Sequence, residues 1–203
     1  MNRFPKLLIV LAALVLVVFC GLLGFRSFSL AARPAQQASS GAADIGGPFS
    51  LVSNRDQPVT DKTFRGKWEV LYFGYTHCPD ECPVALANLS TALHALGSKA
   101  NTLQSLFVTV DPTRDTPKVM GRYLKSFDKS IIGLTGSQAQ IQQAEKDFRV
   151  YAAPANSHGK DLILNHSIFF YVMNPKGRFV TVINGNTTAQ KIAARLRALT
   201  TAS

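Results

Sequence analysis

The chain has 203 residues, three cysteines, four histidines and a formal net charge of +10. That length fits one domain plus a tail, and a hydrophobic content of 46% supplies a core. The basic residues are scattered, with no dense run beside an aromatic platform. The charge therefore reads as a solvated basic surface and excludes a nucleic-acid site, while an acidic partner protein or an anionic membrane surface stays open.

Residues 7–25, "LLIVLAALVLVVFCGLLGF", carry no charge and are long enough to cross a bilayer as a helix. The apolar region of a cleavable signal peptide is about 7–15 residues. This one is longer, so residues 1–26 read as an uncleaved signal-anchor, with Ser29-Leu30-Ala31 as a weak competing cleavage site. Cys20 reads as an apolar membrane residue, because bulky Phe19 stands where lipid attachment wants a small side chain. Arg3 and Lys6 precede the span and Arg26 follows it, which sets orientation only weakly. The short N-terminus is expected in the cytoplasm and everything after Phe25 outside. The chain shows no Arg-rich, Ser-rich amphipathic presequence. The expected location is the bacterial inner membrane, single-pass, with the C-terminal domain in the periplasm.

Residues 27–47 are rich in Ala, Ser, Gln and Gly and read as a flexible linker. The domain is expected over 48–203. "FSLVS" predicts a strand, the 54–58 segment a turn, and a short second strand follows. "WEVLYFGY" is a continuous β-favouring apolar run, as a strand buried on both faces would be. "VALANLSTALHAL" has helical apolar spacing, with Gly97 as its stop. "LQSLFVTV" predicts a strand. "DPTRDTPKVMGRYLKSF" predicts a loop and then a helix with Thr116 as N-cap and Pro117 as first helical residue. "SIIGLTG" predicts a strand, and "SQAQIQQAEKDF" a helix opened by a Ser137/Gln140 capping box. "RVYAA" predicts a short strand, the 154–160 segment a polar loop, and "LILNHSIFFYVM", "NPKG" and "RFVTVIN" a hairpin. A basic helix over about 187–199 closes the chain. Alternating strands and helices indicate α/β with partly parallel pairing. A CxxxC at the end of a central strand, opening a helix, is a thioredoxin-like arrangement.

Cys78 and Cys82 carry the chemistry. A disulfide closing so short a loop stabilises little, so a structural bond is disfavoured. On a helix, residues four apart are neighbours, with Cβ atoms about 5–6 Å apart. That suits a reversible disulfide or two thiolates on one metal. A helix N-terminus lowers a thiol pKa in either case, so it does not choose between them. A third ligand would choose. His94 lies on an amphipathic helix, His158 in a polar loop, and His77 adjoins Cys78 with its side chain pointing apart. His166 stands at a strand end, where a thioredoxin-like fold faces the cysteine loop. Two thiolates and one imidazole suit Cu(I), with Cu(II) and zinc also open to imidazole. Structural zinc has four protein ligands, and a fourth is not evident here.

"FGYTHCPDECP", "TVDPTRDTP", "GLTGS" and "LNHSIFFYVMNPKGRFV" occur in order across about 48–199, after an N-terminal anchor. Together they resemble the Sco/SenC family of membrane-anchored copper proteins. The resemblance implies a thioredoxin-like fold, a central mixed sheet flanked by helices and preceded by a transmembrane helix. It implies copper, as Cu(I) or Cu(II), bound by Cys78, Cys82 and His166. It also implies a metallochaperone role in assembling the binuclear copper centre of cytochrome c oxidase subunit II. Such a protein needs a periplasmic copper donor and a thiol reductant as further partners. Asp111 matches the first aspartate of the family's DPxRDTP segment and is expected either to support the ligands and face a partner, or to cap its own loop. Asp115 is expected to serve loop and helix-start structure. Asn165 departs from the family's usual Asp-His, which removes a negative charge beside His166 and is expected to affect Cu(II) more than Cu(I). The competing role is a membrane-anchored thiol-disulfide reductase acting on the oxidase cysteines. Against it, no proline directly precedes His166 and the spacing is CxxxC, not CxxC.

Overall fold

The computed structural model describes residues 45–155 and 163–201. The expected membrane helix within 1–26 and most of the 27–47 linker lie outside these residues. Among the described residues, no helix is long and apolar enough to cross a membrane.

The described chain runs β1 (Ser50–Ser53), β2 (Pro58–Thr60), β3 (Trp68–Gly74), α1 (Glu81–Leu96) and β4 (Leu103–Thr109). It continues through α2 (Pro117–Tyr123), β5 (Ile131–Thr135), α3 (Gln138–Asp147), β6 (Ala152–Pro154) and β7 (Leu164–His166). It ends with β8 (Phe169–Met173), β9 (Phe179–Asn184) and α4 (Ala189–Thr201). Seven strands form one sheet in the order β2-β1-β5-β4-β3-β8-β9. The three inner strands β5, β4 and β3 are parallel, and the pairs outside them are antiparallel. This is the mixed α/β arrangement expected, a central mixed sheet with flanking helices.

β3 is buried at all seven positions, as its unbroken apolar run predicts for a strand covered on both faces. It pairs with β4 along its whole length, Trp68 opposite Leu103 through Gly74 opposite Thr109. α1 connects the two strands. It buries Cys82, Ala85, Leu86, Leu89, Ala92, Leu93 and Leu96, the three-and-four spacing of one helical face. α4 packs against it through Ala189, Ile192, Ala193 and Leu196. Gly97 ends α1 with φ 58°, a backbone conformation open to glycine without penalty. Thr116 caps α2 by accepting from the Val119 N–H, with Pro117 at the first turn. The Ser137/Gln140 capping box is present at α3.

Three elements differ from the sequence reading. α1 starts at Glu81, earlier than the apolar periodicity at Val84 indicates, so Cys82 is inside the helix and Pro83 sits in its first turn, where a missing N–H costs nothing. The predicted "RVYAA" strand begins only at Ala152, because Arg149 takes φ 54° and Val150 N–H returns to the Glu145 carbonyl. "LILNHSIFFYVM" is two strands in two sheets. β7 pairs only with β6, whereas β8 joins β3 and β9. The switch falls at Ser167 and Ile168. There Ser167 N–H donates to the Tyr151 carbonyl and the Ile168 carbonyl accepts from Gly185 N–H.

At the far end of β3 from the cysteines, Glu69 is 4% exposed and its Oε1 has no hydrogen-bond partner. Burial pushes its carboxyl up to about 7, reinforced by Asp61 and opposed by Arg65. A carboxyl with a raised folded pKa favours the native state below its unfolded pKa, and that contribution is lost as pH rises through the folded value. Urea denaturation at about pH 5 and about pH 8 is expected to show a loss of up to about 3 kcal/mol at the higher pH. Glu69→Gln should reduce that difference, with Glu145, which burial also pushes up to about 7, keeping the remainder; an unchanged slope would reject the assignment.

Candidate metal centre

The site is built where β3 runs out. Beyond Gly74 the chain turns, and Cys78 N–H donates to the Tyr75 carbonyl. The first turn of α1 then carries Cys82 over the strand end. A Cβ on Gly74 would lie 2.6 Å from Cys82 Sγ and 2.9 Å from the Phe107 ring, so glycine there lets the helix come down onto the sheet. Cys82 N–H, one of the first amides of α1, points at Cys78 Sγ at 3.4 Å. The expected influence of the helix N-terminus on a cysteine is thus a specific N–H···S contact.

His166 ends β7 and completes the group. Its Nε2 lies 3.3 Å from Cys82 Sγ, and the two sulfurs and one ring nitrogen all lie within 4.8 Å of one another. Nδ1 is 3.0 Å from the Ser167 carbonyl. A carbonyl only accepts, so Nδ1 carries the proton in the neutral ring and the Nε2 lone pair faces the sulfurs. The imidazole is held edge-on between the rings of Tyr72 and Tyr75, with centroids at 6.0 and 5.8 Å. Tyr75 is itself fixed by accepting from the Leu164 N–H at 3.1 Å. Cys82 is fully buried, while Cys78 and His166 reach the protein surface at 9% and 8% exposure.

These surroundings divide the thiols. The Cys82 side chain, followed by the His166 ring and the Cys82 and Asp80 amides, holds Cys78 well below its ordinary value of 9.0 against the opposing effect of burial. Cys82 moves the other way, because it shares its proton with Cys78 and is buried. At His166 burial disfavours the imidazolium, but the Cys78 sulfur and the Ser167 carbonyl outweigh it, so its pKa rises. Burial, then the nearby Cys82 and Cys78 sulfurs, keep the Tyr72 phenol protonated. The resting cluster is therefore one thiolate, one thiol and one imidazole in a mostly apolar setting. Two sulfurs and a directed nitrogen lone pair fit a soft metal ion, with Cys82 losing its proton as the ion enters.

The remaining candidates lie elsewhere. The Asp111 carboxylate pairs with Arg114 in its own loop, and its carbonyl accepts from the Arg114 and Asp115 amides. Its link to the cluster runs through Arg114, whose guanidinium lies 5.7 Å from the Tyr75 ring centroid. The sequence reading gave Asp115 a loop and helix-start role and did not reach its tie to the cysteine loop. It has no exposed surface and accepts from Thr76 N–H at 3.0 Å, Thr76 Oγ1 at 2.5 Å and Thr109 Oγ1 at 2.7 Å. It ties the start of the cysteine loop to the end of β4. The only sequence signal was a threonine just before that loop, which has no periodicity to reveal its partner. His77 lies outside the cluster, half-exposed, with Nδ1 3.1 Å from Thr76 Oγ1. His94 is 84% exposed and 4.0 Å from Asp128. His158 lies outside the described residues. Asn165 is exposed on β7, opposite Ala153. A groove of about 210 Å³ runs beside Cys78, with Tyr75 and residues 78–81 on one wall and residues 163–165 on the other.

The family model described as SCO1/SenC matches residues 37–201. The chain is 41% identical over 160 residues to "Protein sco1" of Schizosaccharomyces pombe, covering 77% of this chain and 61% of that protein. It is 44% identical over 149 residues to the mitochondrial "Protein SCO1" of Saccharomyces cerevisiae, covering 72% of this chain and 50% of that protein. The chain thus spans about half to three-fifths of the length of these curated relatives. Among solved structures, Bradyrhizobium japonicum ScoI with copper bound is 42% identical with TM-score 0.71, covering 76% of this chain and 98% of that one. Yeast Sco1 with copper bound is 39% identical with TM-score 0.72, covering 79% and 90%.

Two outcomes follow for the metal-free protein. Thiolate absorbance of the reduced chain is expected to show one cysteine ionised well below neutral pH, and Cys82→Ala should return it toward 9.0 by removing its main stabiliser. A single titration of both thiols near the ordinary value would refute this. Asp115→Asn leaves at least one of its donors without an acceptor and should cost about 1.5–3 kcal/mol in urea denaturation. The same substitution should raise hydrogen exchange at the Thr76 amide; a stability change under about 0.5 kcal/mol would reject the strut.

Proposed function

The chain belongs to the SCO1/SenC family, and from that membership we propose that it is a copper metallochaperone: it holds one copper ion on Cys78, Cys82 and His166 and hands it to a copper enzyme. The observation that carries this reading is the gathering of two sulfurs and an imidazole nitrogen within 4.8 Å, from residues far apart in sequence. The copper-bound relatives of similar fold and sequence support it.

Copper is the cargo here. The thiolates dominate binding of Cu(I), and the imidazole adds a ligand that also suits Cu(II). Buried Cys82 and wedged His166 form the fixed part of the site. Cys78 stands on the groove, so exchange with an incoming ligand begins there. A three-ligand set leaves room for that ligand, which suits handover better than storage. The client is the binuclear copper centre of cytochrome c oxidase subunit II, with a copper donor and a thiol reductant upstream. Residues 1–26 anchor the chain as a single transmembrane helix, 27–47 tether it, and 48–203 form the thioredoxin-like copper domain. The location is the bacterial inner membrane with the domain in the periplasm, and the uncharged 7–25 stretch supports the membrane anchor. Asp111 acts on the site through Arg114 and Tyr75. The separated thiol pKa values also favour thiol-disulfide exchange, so reduction of the client's cysteines is the second reading.

The test is Cu(I) added anaerobically to the reduced full chain in detergent, in a Cys20→Ser background and in competition with a chelator. One copper per chain is expected. It should be lost with Cys78→Ser/Cys82→Ser and weakened by about tenfold or more with His166→Ala. Weak binding, or indifference of both copper states to His166→Ala, would leave disulfide exchange as the function.

A further inference from the structure

We infer that the groove beside Cys78 is a docking track for an extended segment of the client, which pairs as an added strand on β7 and sets lysine or arginine against Asp80 and Glu81. This rests on the copper-delivery reading and specifies how the receiving protein is held.

The pairing register is the first argument. Ser167 N–H donates to the Tyr151 carbonyl, and Ala155 N–H donates to the Ile163 carbonyl. In an antiparallel ladder hydrogen-bonded and non-hydrogen-bonded pairs alternate. Leu164 and His166, opposite Pro154 and Ala152, therefore occupy non-hydrogen-bonded positions, and their backbone groups point away from β6. The Leu164 N–H follows that rule: it reaches across to Tyr75 Oη, on the cysteine side. The outer edge of β7 thus points to the cysteine side: Leu164 lines the groove with its carbonyl directed that way, while His166, 8% exposed, points its N–H and carbonyl the same way just beyond the groove lining. β7 belongs to a sheet of two strands, so β6 is its only strand neighbour among the described residues. Backbone pairing along such an edge holds a peptide whatever its side chains.

Charge is the second argument. The chain carries +10 overall, yet among the described residues the groove walls contain Asp80 and Glu81 and no lysine or arginine. Both carboxylates are exposed at the start of α1. An acidic lip on a basic protein selects a positively charged segment and repels the general run of acidic surfaces. Position is the third. Cys78 lines the groove, whereas Cys82 and His166 do not. A segment seated on β7 brings its own thiol or imidazole to the ligand nearest the surface.

The experiment uses the full chain in detergent with Cys20→Ser and Cys82→Ser, and Cys78 carried as its mixed disulfide with thionitrobenzoate. A short extended peptide with one cysteine attacks that bond: the peptide sulfur joins Cys78 Sγ, and thionitrobenzoate leaves as a thiolate whose absorbance gives the rate. A peptide with lysines flanking its cysteine is expected to react about tenfold faster at low salt than one with glutamates. Asp80→Asn/Glu81→Gln should bring the two together. Backbone N-methylation at alternate residues of the lysine peptide should slow it several-fold in one of the two registers only. Equal rates for the lysine and glutamate peptides, or indifference to N-methylation, overturn the docking track. Cu(I) loading of the chain with Cys78 and Cys82 intact is measured in parallel. Copper loading without peptide discrimination sinks the track and leaves the chaperone reading standing. Discrimination without copper loading supports the track and sinks the chaperone reading.

Discussion

The contact of Cys82 with the end of β3 is the constraint on which the site depends. α1 approaches the sheet closely enough that a Cβ on Gly74 would meet Cys82 Sγ at 2.6 Å. That approach buries Cys82 completely, aims its amide at Cys78 Sγ, and puts its sulfur within 3.3 Å of His166 Nε2. Without it the two cysteines would still be four apart on a helix, but they would not share a pocket with a residue from β7. A side chain at position 74 would need the helix to rise or the Phe107 ring to move, and packed interiors resist both.

Around that contact the fold supplies a mostly apolar wall and a few directed polar groups. Tyr72, Tyr75 and Phe107 exclude water, which strengthens every remaining electrostatic interaction and raises the cost of any unpaired charge. The cluster answers by keeping one proton among its sulfurs and by turning the ring nitrogen lone pair inward. A metal ion resolves the same problem by replacing the proton, so the pocket that stabilises a thiolate is also the pocket that favours a soft cation.

The loop that presents Cys78 is held from below by Asp115 and from the side by Tyr75. Asp115 joins Thr76 to Thr109, across β3 and β4. Tyr75 joins the cysteine loop to β7 through the Leu164 amide. One strut is a buried carboxylate and the other a phenol on the groove wall. The loop carrying Cys78 and the strand carrying His166 are therefore held through the same few backbone segments. The break between β7 and β8 serves this arrangement. It lets the strand carrying His166 leave the main sheet and lie beside the cysteines, while β8 continues against β3.

Local physics made much of this legible in the sequence. Capping at Thr116 and Ser137, the stop at Gly97, the apolar face of α1 and the buried run of β3 depend on neighbours a few residues away, and they appear in the structure as read. The CxxxC and the strand-end histidine were visible as residue types able to bind a metal, and the ordered motifs pointed to the family. Tertiary structure alone decided three things: which side of β7 faces the cysteines, how closely α1 descends on Gly74, and that Asp115 rather than Asp111 holds the cysteine loop. The first and third depend on atoms 39 to 89 residues apart in the chain, as with Thr76 and Asp115 or Tyr75 and Leu164, and the second on how a helix packs onto the closed sheet beside Phe107. Hydrophobic period and cap chemistry carry no information at that separation, because they report the backbone's local preference and not which surfaces meet once the sheet is closed.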